Sequence, residues 1–307
     1  MSQSVETFHS SWGELPVIKG EIITDEPMSK HTSYGIGGPA DVFAVAADVS
    51  DLEVLLQWAR EKSVPVTIMG AGCNMLVSDR GVRGLVVRFG EGFSRVQIDG
   101  DRVIAGAAVR LPVLVKAALD QGLSGLEGLA GVPGTVGGAV CMNAGTPVSC
   151  IGDALISVKV LDSGLSLRTL SAKELGLRYR GSDVLQKGLV IIEAEFLLHL
   201  GNPEEVSTVV ETLLSKRRVG QPVAARTAGS VFKNPDGDFA GRLLDAVGAK
   251  GLQIGSARVS SKHANFIENT GSATAEDVRK LIIELQHRVK AQFGVDLEPE
   301  VKLVGEW

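Results

Sequence analysis

Glycine is concentrated in one stretch of this 307-residue chain, and that stretch restricts the fold more than any other feature. Seven glycines fall within residues 125–145, at positions 125, 128, 131, 134, 137, 138 and 145. Each glycine costs conformational entropy on folding, so helix or strand stability does not account for this density. Close passage of the backbone over a flat ligand does account for it. We therefore predict a ligand-binding segment here.

A second glycine-rich segment lies about sixty residues earlier in the chain. A short apolar strand runs into Gly70, Ala71, Gly72, Cys73 and Asn74. A sharp Gly-x-Gly-x-Asn turn exposes successive backbone N–H groups, which suits a pyrophosphate. Met75 stands where the dinucleotide-binding GxGxxG motif has its third glycine, so that motif is absent. Taken alone, the segment is equally consistent with a tight turn that binds nothing.

Composition and charge exclude several classes of protein. Hydrophobic residues make up 44% and charged residues 22% of the chain, as in ordinary globular proteins. The net charge of −5 disfavours nucleic acids and membrane surfaces as partners. The sequence has no signal-like N-terminus and no apolar run long enough for a membrane span. Its three cysteines form no CxxC pair, so we expect a reducing, cytoplasmic location.

Hydrophobic periodicity predicts three α/β regions, at residues 1–90, 91–218 and 219–297, with 298–307 returning to the first. Strands are predicted at 40–45, 65–69, 84–89, 94–98, 102–107, 155–161, 165–169, 189–197 and 298–304. Helices are predicted at 50–62, at 111–121, from 203 to the basic run 216–218, near 242–247 and from 274. We expect a capping box between Ser50 and Glu53 at the start of the first helix. An apolar stripe on the last helix is predicted to be core, at Val278, Leu281, Ile282, Leu285 and Val289.

Three polar segments are candidates for chemistry. Ser230, Lys233 and Asn234 bring a hydroxyl, an ammonium and an amide into five residues near the basic run. This is either an ordinary polar turn or an anion site with a reactive hydroxyl. Tyr179-Arg180 and Glu298-Pro299-Glu300, each taken alone, are typical of surface salt bridges.

No metal site is predicted. The five histidines lack metal-ligand spacing, and neither HExxH nor CxxC occurs. The Gly-x-Ser-x-Gly elbow of hydrolases is absent as well. His263 is consistent with a substrate contact and with a structural histidine.

The segments together resemble the UDP-N-acetylenolpyruvoylglucosamine reductase family. The resemblance runs in order from Thr32-Ser-Tyr-Gly-Ile-Gly-Gly38 through the 131–145 block and Ser230-Val-Phe-Lys-Asn-Pro235 to Glu298-Pro-Glu-Val301. It implies an α+β fold, in which an FAD-binding fold of the vanillyl-alcohol-oxidase (PCMH) type precedes a C-terminal α+β substrate-binding domain. It also implies FAD as cofactor, NADPH as reductant and a UDP-sugar as substrate in peptidoglycan precursor synthesis.

The resemblance also assigns roles to individual residues. Catalytic roles fall on Arg180, Ser230 and Glu300. Substrate contacts fall on Tyr179, Arg218, Lys233, Asn234 and His263. Cofactor contacts fall on Gly70, Ala71, Gly72, Cys73, Asn74, Met75, Gly134, Thr135, Gly137, Gly138, Asn143 and Gly145. We expect FAD to be held non-covalently, although Cys73 beside the loop leaves attachment open.

The implied reaction is reduction of an enolpyruvyl double bond. The flavin delivers hydride to the terminal carbon, Arg180 stabilises the developing anion, and Ser230 protonates the other carbon. Glu300 hydrogen-bonds the carboxylate, which requires a proton on or shared by its buried carboxyl group. The short connection after Arg180 resembles the subclass that lacks a tyrosine-bearing lid.

The chain departs from the family pattern at three positions. Cys73 replaces the usual serine, a stronger hydrogen-bond donor, and Pro147 and Cys150 replace a tyrosine and a glutamate. Two other functions are alternatives to this reductase activity. An alcohol or aldonolactone oxidase on the same fold would share the glycine-rich segments but not the Ser230 and Glu300 motifs. A non-catalytic flavin- or nucleotide-binding module would bind flavin without turnover.

Overall fold

The computed structural model describes residues 12–307 of the chain. His9, one of the five histidines, lies outside these residues. The first region begins with five strands and one helix. Strands β1 to β5 span Glu21–Pro27, Pro39–Ala46, Val66–Met69, Met75–Val77 and Val82–Phe89, and helix α1 spans Val49–Glu61. The strands predicted at 40–45, 65–69 and 84–89 are therefore confirmed.

Four of these strands form a mixed sheet in the order β1-β2-β5-β3. Parallel pairing of β2 and β3 with β5 brings the C-terminal ends of β3 and β5 to one edge of the sheet. Residues 70–74, the Gly70 loop, begin at this edge and connect β3 to β4. The capping box expected at Ser50 is wrong. Asp48 is the N-cap of α1, and its carboxylate accepts from Asp51 N at 3.2 Å. A carboxylate one residue before the first turn satisfies the free N–H groups and the positive helix end better than a serine inside the helix.

The second region is built on a five-stranded antiparallel sheet in the order β10-β9-β11-β7-β6. Strands β6 to β12 span Val96–Asp99, Arg102–Gly106, Leu123–Ser124, Leu155–Leu161, Leu167–Ser171, Val190–Leu197 and His199–Leu200, and helices α2 to α4 span Leu111–Asp120, Val136–Met142 and Pro203–Gly220. The strand predicted at 165–169 begins two residues later. Asp162 Oδ1 accepts from Gly164 N and Ser166 N, which makes a wider turn than the sequence suggested.

The third region packs two helices against a small sheet. Helices α5 and α6 span Ala240–Ala246 and Ala275–Phe293, and strands β13 to β16 span Gln253–Ile254, Ala257–Val259, Ile267–Asn269 and Lys302–Val304. The predicted apolar stripe of α6 is buried, as expected. The predicted strand at 298–304 is shorter than expected, because Pro299 has no N–H to donate to a ladder. Its last part, β16, pairs in parallel with β4 of the first region.

Four clusters of buried apolar residues hold these layers together. The cluster around α6 also contains Tyr34, Ile36 and Leu76 of the first region. The third region and the start of the chain therefore share one core. Within residues 12–307, no helix is both long and apolar enough to cross a bilayer.

Candidate active site

A cavity of about 1900 Å³ opens where the three regions meet. The Gly70 loop, the glycine-rich 132–150 segment, the Tyr179-Arg180 turn, the Ser230 loop and Glu300 all line its wall. Segments that lie more than two hundred residues apart in the chain thus enclose a single space.

The Gly70 loop presents backbone N–H groups. Those of Ala71, Gly72, Cys73 and Asn74 have no acceptor among residues 12–307, although all four residues line the cavity. Gly72 has a φ of 64°, and a Cβ there would lie 2.1 Å from the carbonyl oxygen of His31. Only glycine fits this position, and the resulting concave row of donors suits an anion.

The two glycine-rich segments touch each other. A Cβ on Gly70 would lie 2.5 Å from Thr135 Oγ1, so the missing side chain lets Thr135 sit against the loop. Gly134 and Gly138 face the cavity, where an added Cβ would meet nothing of the protein at Gly134 and only Thr135 Oγ1, at 3.7 Å, at Gly138. Both therefore leave room for a ligand.

Other glycines of this segment serve protein packing. Residues 136–142 form α3, a helix that the sequence did not predict. Gly137 allows this helix to pack closely against Ala107, since a Cβ on Gly137 would lie 3.0 Å from Ala107 Cβ. A Cβ on Gly145 would lie 2.5 Å from Cys150 Cα, so this glycine closes a turn. Asn143 lines the cavity, but its side chain donates to Arg178 O and accepts from Gly152 N. It thereby ties the end of α3 to the turn that carries Arg180.

That turn holds Arg180 in an unfavourable backbone conformation. Arg178 and Gly181 exchange both backbone hydrogen bonds, so Tyr179 and Arg180 are its central residues. Arg180 has a φ of 53°, in the left-handed region that glycine or asparagine normally occupies. Such strain costs roughly 1–3 kcal/mol and is concentrated at functional sites. The conformation brings Arg180 Nη2 to 2.9 Å from Gly145 O, at the cavity wall.

Glu300 faces Arg180 across a short distance. Glu300 Oε1 lies 2.9 Å from Arg180 Nε, with side chains only 18% and 20% exposed. Because both groups are largely buried, this contact is a partly desolvated ion pair at the cavity wall. Burial raises the pKa of Glu300, and the charges of Arg180 and Lys233 oppose that rise. Glu300 therefore keeps its proton to a higher pH than an ordinary glutamate.

Ser230 lies next to the segment that pairs with Glu300. Glu300 N donates to Val231 O at 2.8 Å and Lys233 N donates to Glu298 O at 2.9 Å, which sets the two segments side by side. The bonds that hold this loop use its backbone and the side chains of Thr227 and Asn265. They leave the Ser230 hydroxyl without a protein partner within residues 12–307.

Sequence reasoning did not identify Asn265 as a part of the site. Its buried amide accepts from Phe232 N at 2.9 Å and donates to Phe232 O at 2.8 Å, as a neighbouring strand would. The backbone carbonyl of Asn265 also accepts from Val231 N. A single asparagine carries no periodic signal, so only its position in the 262–267 segment could have pointed to it.

The predicted substrate residues divide into two groups. Tyr179, Asn234 and His263 line the cavity. Tyr179 OH accepts from Asn234 N at 3.3 Å, and Asn234 Oδ1 accepts from Ala240 N at the start of α5. Lys233 is outside the lining, because its ammonium group pairs with Glu298 Oε1 at 2.5 Å.

Arg217 occupies the place expected for Arg218. Arg218 is exposed on α4 and outside the cavity lining, whereas Arg217 is half-buried within it. Gly131 makes room for Arg217, since a Cβ there would lie 3.2 Å from its Nε. That Nε is buried without a partner in the described part of the chain, and burial lowers the pKa of the guanidinium. An unpaired buried guanidinium favours an anionic ligand.

Comparison with known proteins identifies the family. The profile of the UDP-N-acetylenolpyruvoylglucosamine reductase C-terminal domain matches residues 221–304, and that of an FAD binding domain matches residues 40–170. UDP-N-acetylenolpyruvoylglucosamine reductases of Desulforamulus reducens and Moorella thermoacetica are 44% and 46% identical over 295 and 298 residues, each covering 96% of this chain and 97% of the relative. The chain belongs to the UDP-N-acetylenolpyruvoylglucosamine reductase family.

A solved structure agrees with this assignment. The reductase from Thermus caldophilus superposes with a TM-score of 0.81 at 36% identity, covering 94% of this chain and all of that one. The predicted α+β FAD-binding fold is confirmed by this match and by the FAD-binding profile. As a member of the reductase family with this domain, the protein is an FAD-dependent oxidoreductase.

The cavity fits FAD on its own evidence. The Gly70 loop offers unpaired N–H donors for a pyrophosphate, and Gly134 and Gly138 leave the space that a flat ring system needs. At Cys73, where the family usually has serine, burial raises the pKa of the thiol. A protonated thiol is a poor nucleophile, which supports non-covalent binding. The departure at Cys150 is structural, because its N–H and thiol both bond to Asp153.

Proposed function

We propose that this protein reduces the enolpyruvyl double bond of UDP-N-acetylenolpyruvoylglucosamine to form UDP-N-acetylmuramate, with NADPH as the source of electrons. The observation that carries this proposal is the meeting of Arg180, Glu300 and Ser230 beside the glycine-lined space. These groups offer a fixed cation, a carboxyl group with a raised pKa and a free hydroxyl on one wall. FAD, when bound, supplies hydride-transfer chemistry to this wall.

Arg180 provides charge where the reaction needs it. Reduction at the terminal carbon of an enolpyruvyl group leaves negative charge that spreads onto the adjoining carboxylate. The Arg180 guanidinium is held by Gly145 O and by the Glu300 carboxyl group. A preorganised donor of this kind stabilises the developing anion without reorganising during the reaction.

Glu300 contributes in its protonated form. A carboxyl group donates a hydrogen bond only when it holds a proton, and burial at the cavity wall raises the pKa of Glu300. We infer that protonated Glu300 donates to the substrate carboxylate next to Arg180. The same carboxyl group would repel that carboxylate if it were ionised.

Ser230 is the proposed proton donor to the remaining carbon. An alkyl hydroxyl is a weak acid and acts only when it is held against a strongly basic carbanion. Asn265 fixes the backbone that carries Ser230. Within the described chain, no protein group is hydrogen-bonded to Ser230 Oγ. A rigid backbone with an unengaged hydroxyl is what this role requires.

Arg217 and two lysines of the third region are proposed to bind the UDP portion. Arg217, Lys250 and Lys262 line the cavity together with His263. Burial lowers the pKa of His263, and its Nδ1 accepts from Asn265 N, so a neutral ring keeps its N–H at Nε2. Tyr179 and Asn234 join across the cavity between the second and third regions. We propose that this link performs part of the closure that a lid performs in lid-bearing relatives.

An anaerobic absorbance titration tests the function. The FAD-loaded protein would be reduced with NADPH until its flavin band bleaches, and the enolpyruvyl UDP-sugar would then be added. Return of the band within about a second is the expected result, because enzyme turnover has typical rates of one per second or faster. A flavin that bleaches and ignores the UDP-sugar would instead indicate another oxidoreductase on this fold. A flavin that NADPH does not bleach would refute the proposed reductant.

A further inference from the structure

Asn74, the last residue of the Gly70 loop, is bonded to the segment that carries Glu300. Its side-chain Nδ2 donates to Glu300 O at 3.1 Å. Its own carbonyl accepts from Lys302 N at 2.9 Å, two residues further along. Asn74 is therefore hydrogen-bonded to the residues on both sides of Val301, one of which is the proposed acid Glu300.

The side chain of Asn74 is thereby separated from the row of cofactor-facing donors. Within residues 12–307 the backbone N–H of Asn74 has no acceptor and belongs to that row, whereas its side-chain amide donates to Glu300 O. Directly after Asn74, the pairing of β4 with β16 starts at Met75 and Lys302. The Asn74 side chain therefore bonds the Gly70 loop directly to the Glu300 backbone.

The remaining supports of Glu300 come from other parts of the fold. Its N–H donates to Val231 O, and its carboxyl group faces Arg180. Asn74 is thus the contact that joins the proposed cofactor loop to the proposed acid across 226 residues of sequence. The other two contacts join Glu300 to the Ser230 loop and to the Arg180 turn.

We propose that Asn74 is a positioning residue for Glu300, which places the carboxyl group in response to occupancy of the Gly70 loop by FAD. The inference rests on the proposed function for what Glu300 then does. The coupling itself is a property of the fold. Loss of one neutral hydrogen bond changes a local opening equilibrium by about fivefold, so the effect is measurable without abolishing folding.

Hydrogen–deuterium exchange on the peptide 298–304 tests the coupling without any turnover. In the wild-type protein, FAD should slow exchange of this peptide. In Asn74→Ala, we expect exchange that is about fivefold faster and no longer responds to saturating FAD. A normal FAD response in Asn74→Ala would overturn the proposal.

Asp79→Ala is a matched control. Asp79 also joins the first region to the third, because its carboxylate accepts from Ala275 N and Glu276 N at the start of α6, but it does not touch Glu300. This variant should loosen the peptides at the start of α6 and leave the FAD response of 298–304 intact. If Asp79→Ala abolished that response as well, Asn74 would have only a general structural role.

Half-reactions at saturating FAD then separate positioning from cofactor binding. Asn74→Ala should slow reoxidation by the UDP-sugar about tenfold and leave reduction by NADPH within about twofold. Weaker FAD binding with normal reoxidation at full occupancy would make Asn74 a cofactor contact alone and refute the proposal. If the UDP-sugar failed to reoxidise the wild-type protein, the proposed function would fail, whereas the exchange experiment would still decide the coupling.

Discussion

Gly137 and Gly138 are neighbours in α3, and we expect their replacement by alanine to have opposite effects on the cofactor-free protein. At Gly138 the new methyl group points into the cavity and meets only Thr135 Oγ1, at 3.7 Å. Alanine is favoured over glycine in a helix by roughly 0.5–1 kcal/mol, so Gly138→Ala should stabilise the cofactor-free protein by about that amount. At Gly137 the methyl group would lie 3.0 Å from Ala107 Cβ and 3.3 Å from Ala107 O. Overpacking of this kind costs about 1–3 kcal/mol, which exceeds the helix gain.

For FAD affinity the order of the two variants should be the reverse, with Gly138→Ala binding FAD more weakly than Gly137→Ala. The methyl group of Gly138→Ala occupies space that the bound cofactor needs, so we expect FAD to bind about tenfold to a hundredfold more weakly, the equivalent of the same 1–3 kcal/mol. Gly137→Ala should bind FAD with a smaller loss, because its methyl group lies on the sheet side of α3. Urea unfolding of the cofactor-free proteins and fluorescence titration with FAD measure the two quantities separately.

A second substitution provides the control. Ala107→Gly in the Gly137→Ala background removes the opposing methyl group and should recover part of the lost stability, whereas it should not help Gly138→Ala. The interpretation of the two glycines would be refuted if Gly138→Ala bound FAD as tightly as the wild type. Equal unfolding free energies for the two single variants would also contradict it.

Three further predictions concern the proposed roles of Ser230 and Glu300 and the cap of helix α6. Ser230→Ala should slow reoxidation by the UDP-sugar roughly 100- to 10,000-fold and leave reduction by NADPH unchanged in stopped-flow traces, and equal slowing of both steps would exclude a proton donor. Because burial raises the pKa of Glu300, reoxidation by the wild-type protein should fall as pH rises through that raised pKa. Glu300→Gln should flatten this alkaline limb, since an amide donates at every pH, and an unchanged limb would assign the titration to another group. Thr274 Oγ1 accepts from Asp277 N at the start of α6, so Thr274→Ala should lower the free energy of unfolding by about 1 kcal/mol in urea, and no loss would mean that Asp79 alone caps this helix.

Features with a local cause could be predicted from the sequence. The buried stripe of α6 follows from its helical spacing, and the start of α4 follows from Asn202 and Pro203. The three proposed catalytic residues came from a resemblance, and in the structure all three line the same cavity. The cause of their proximity, the pairing of 231–233 with 298–300, has no local signature.

Features that depend on distant contacts were missed or misplaced. Helix α3 was missed because glycines disfavour a helix in sequence-based prediction. Gly137 is required by its close packing against Ala107, and residues this far apart do not fall within one local sequence pattern. Arg217 and Arg218 point about 100° apart on α4, and two adjacent arginines do not reveal which one faces inward. Asn265 was missed because an isolated buried amide looks like any polar loop residue.

The parallel pairing of β16 with β4 has a consequence for the order in which the molecule is completed. A polypeptide leaves the ribosome N-terminus first, so Asn74 is synthesised 226 residues before the partner that its side chain binds. Contacts across such separations form late in folding, because a long loop must be closed before they are gained. Until Lys302 reaches Met75, β4 has no strand partner within residues 12–307 and the Glu300 backbone lacks its bond from Asn74. We therefore expect the nascent protein to complete the proposed cofactor loop and the placement of Glu300 in the same final step.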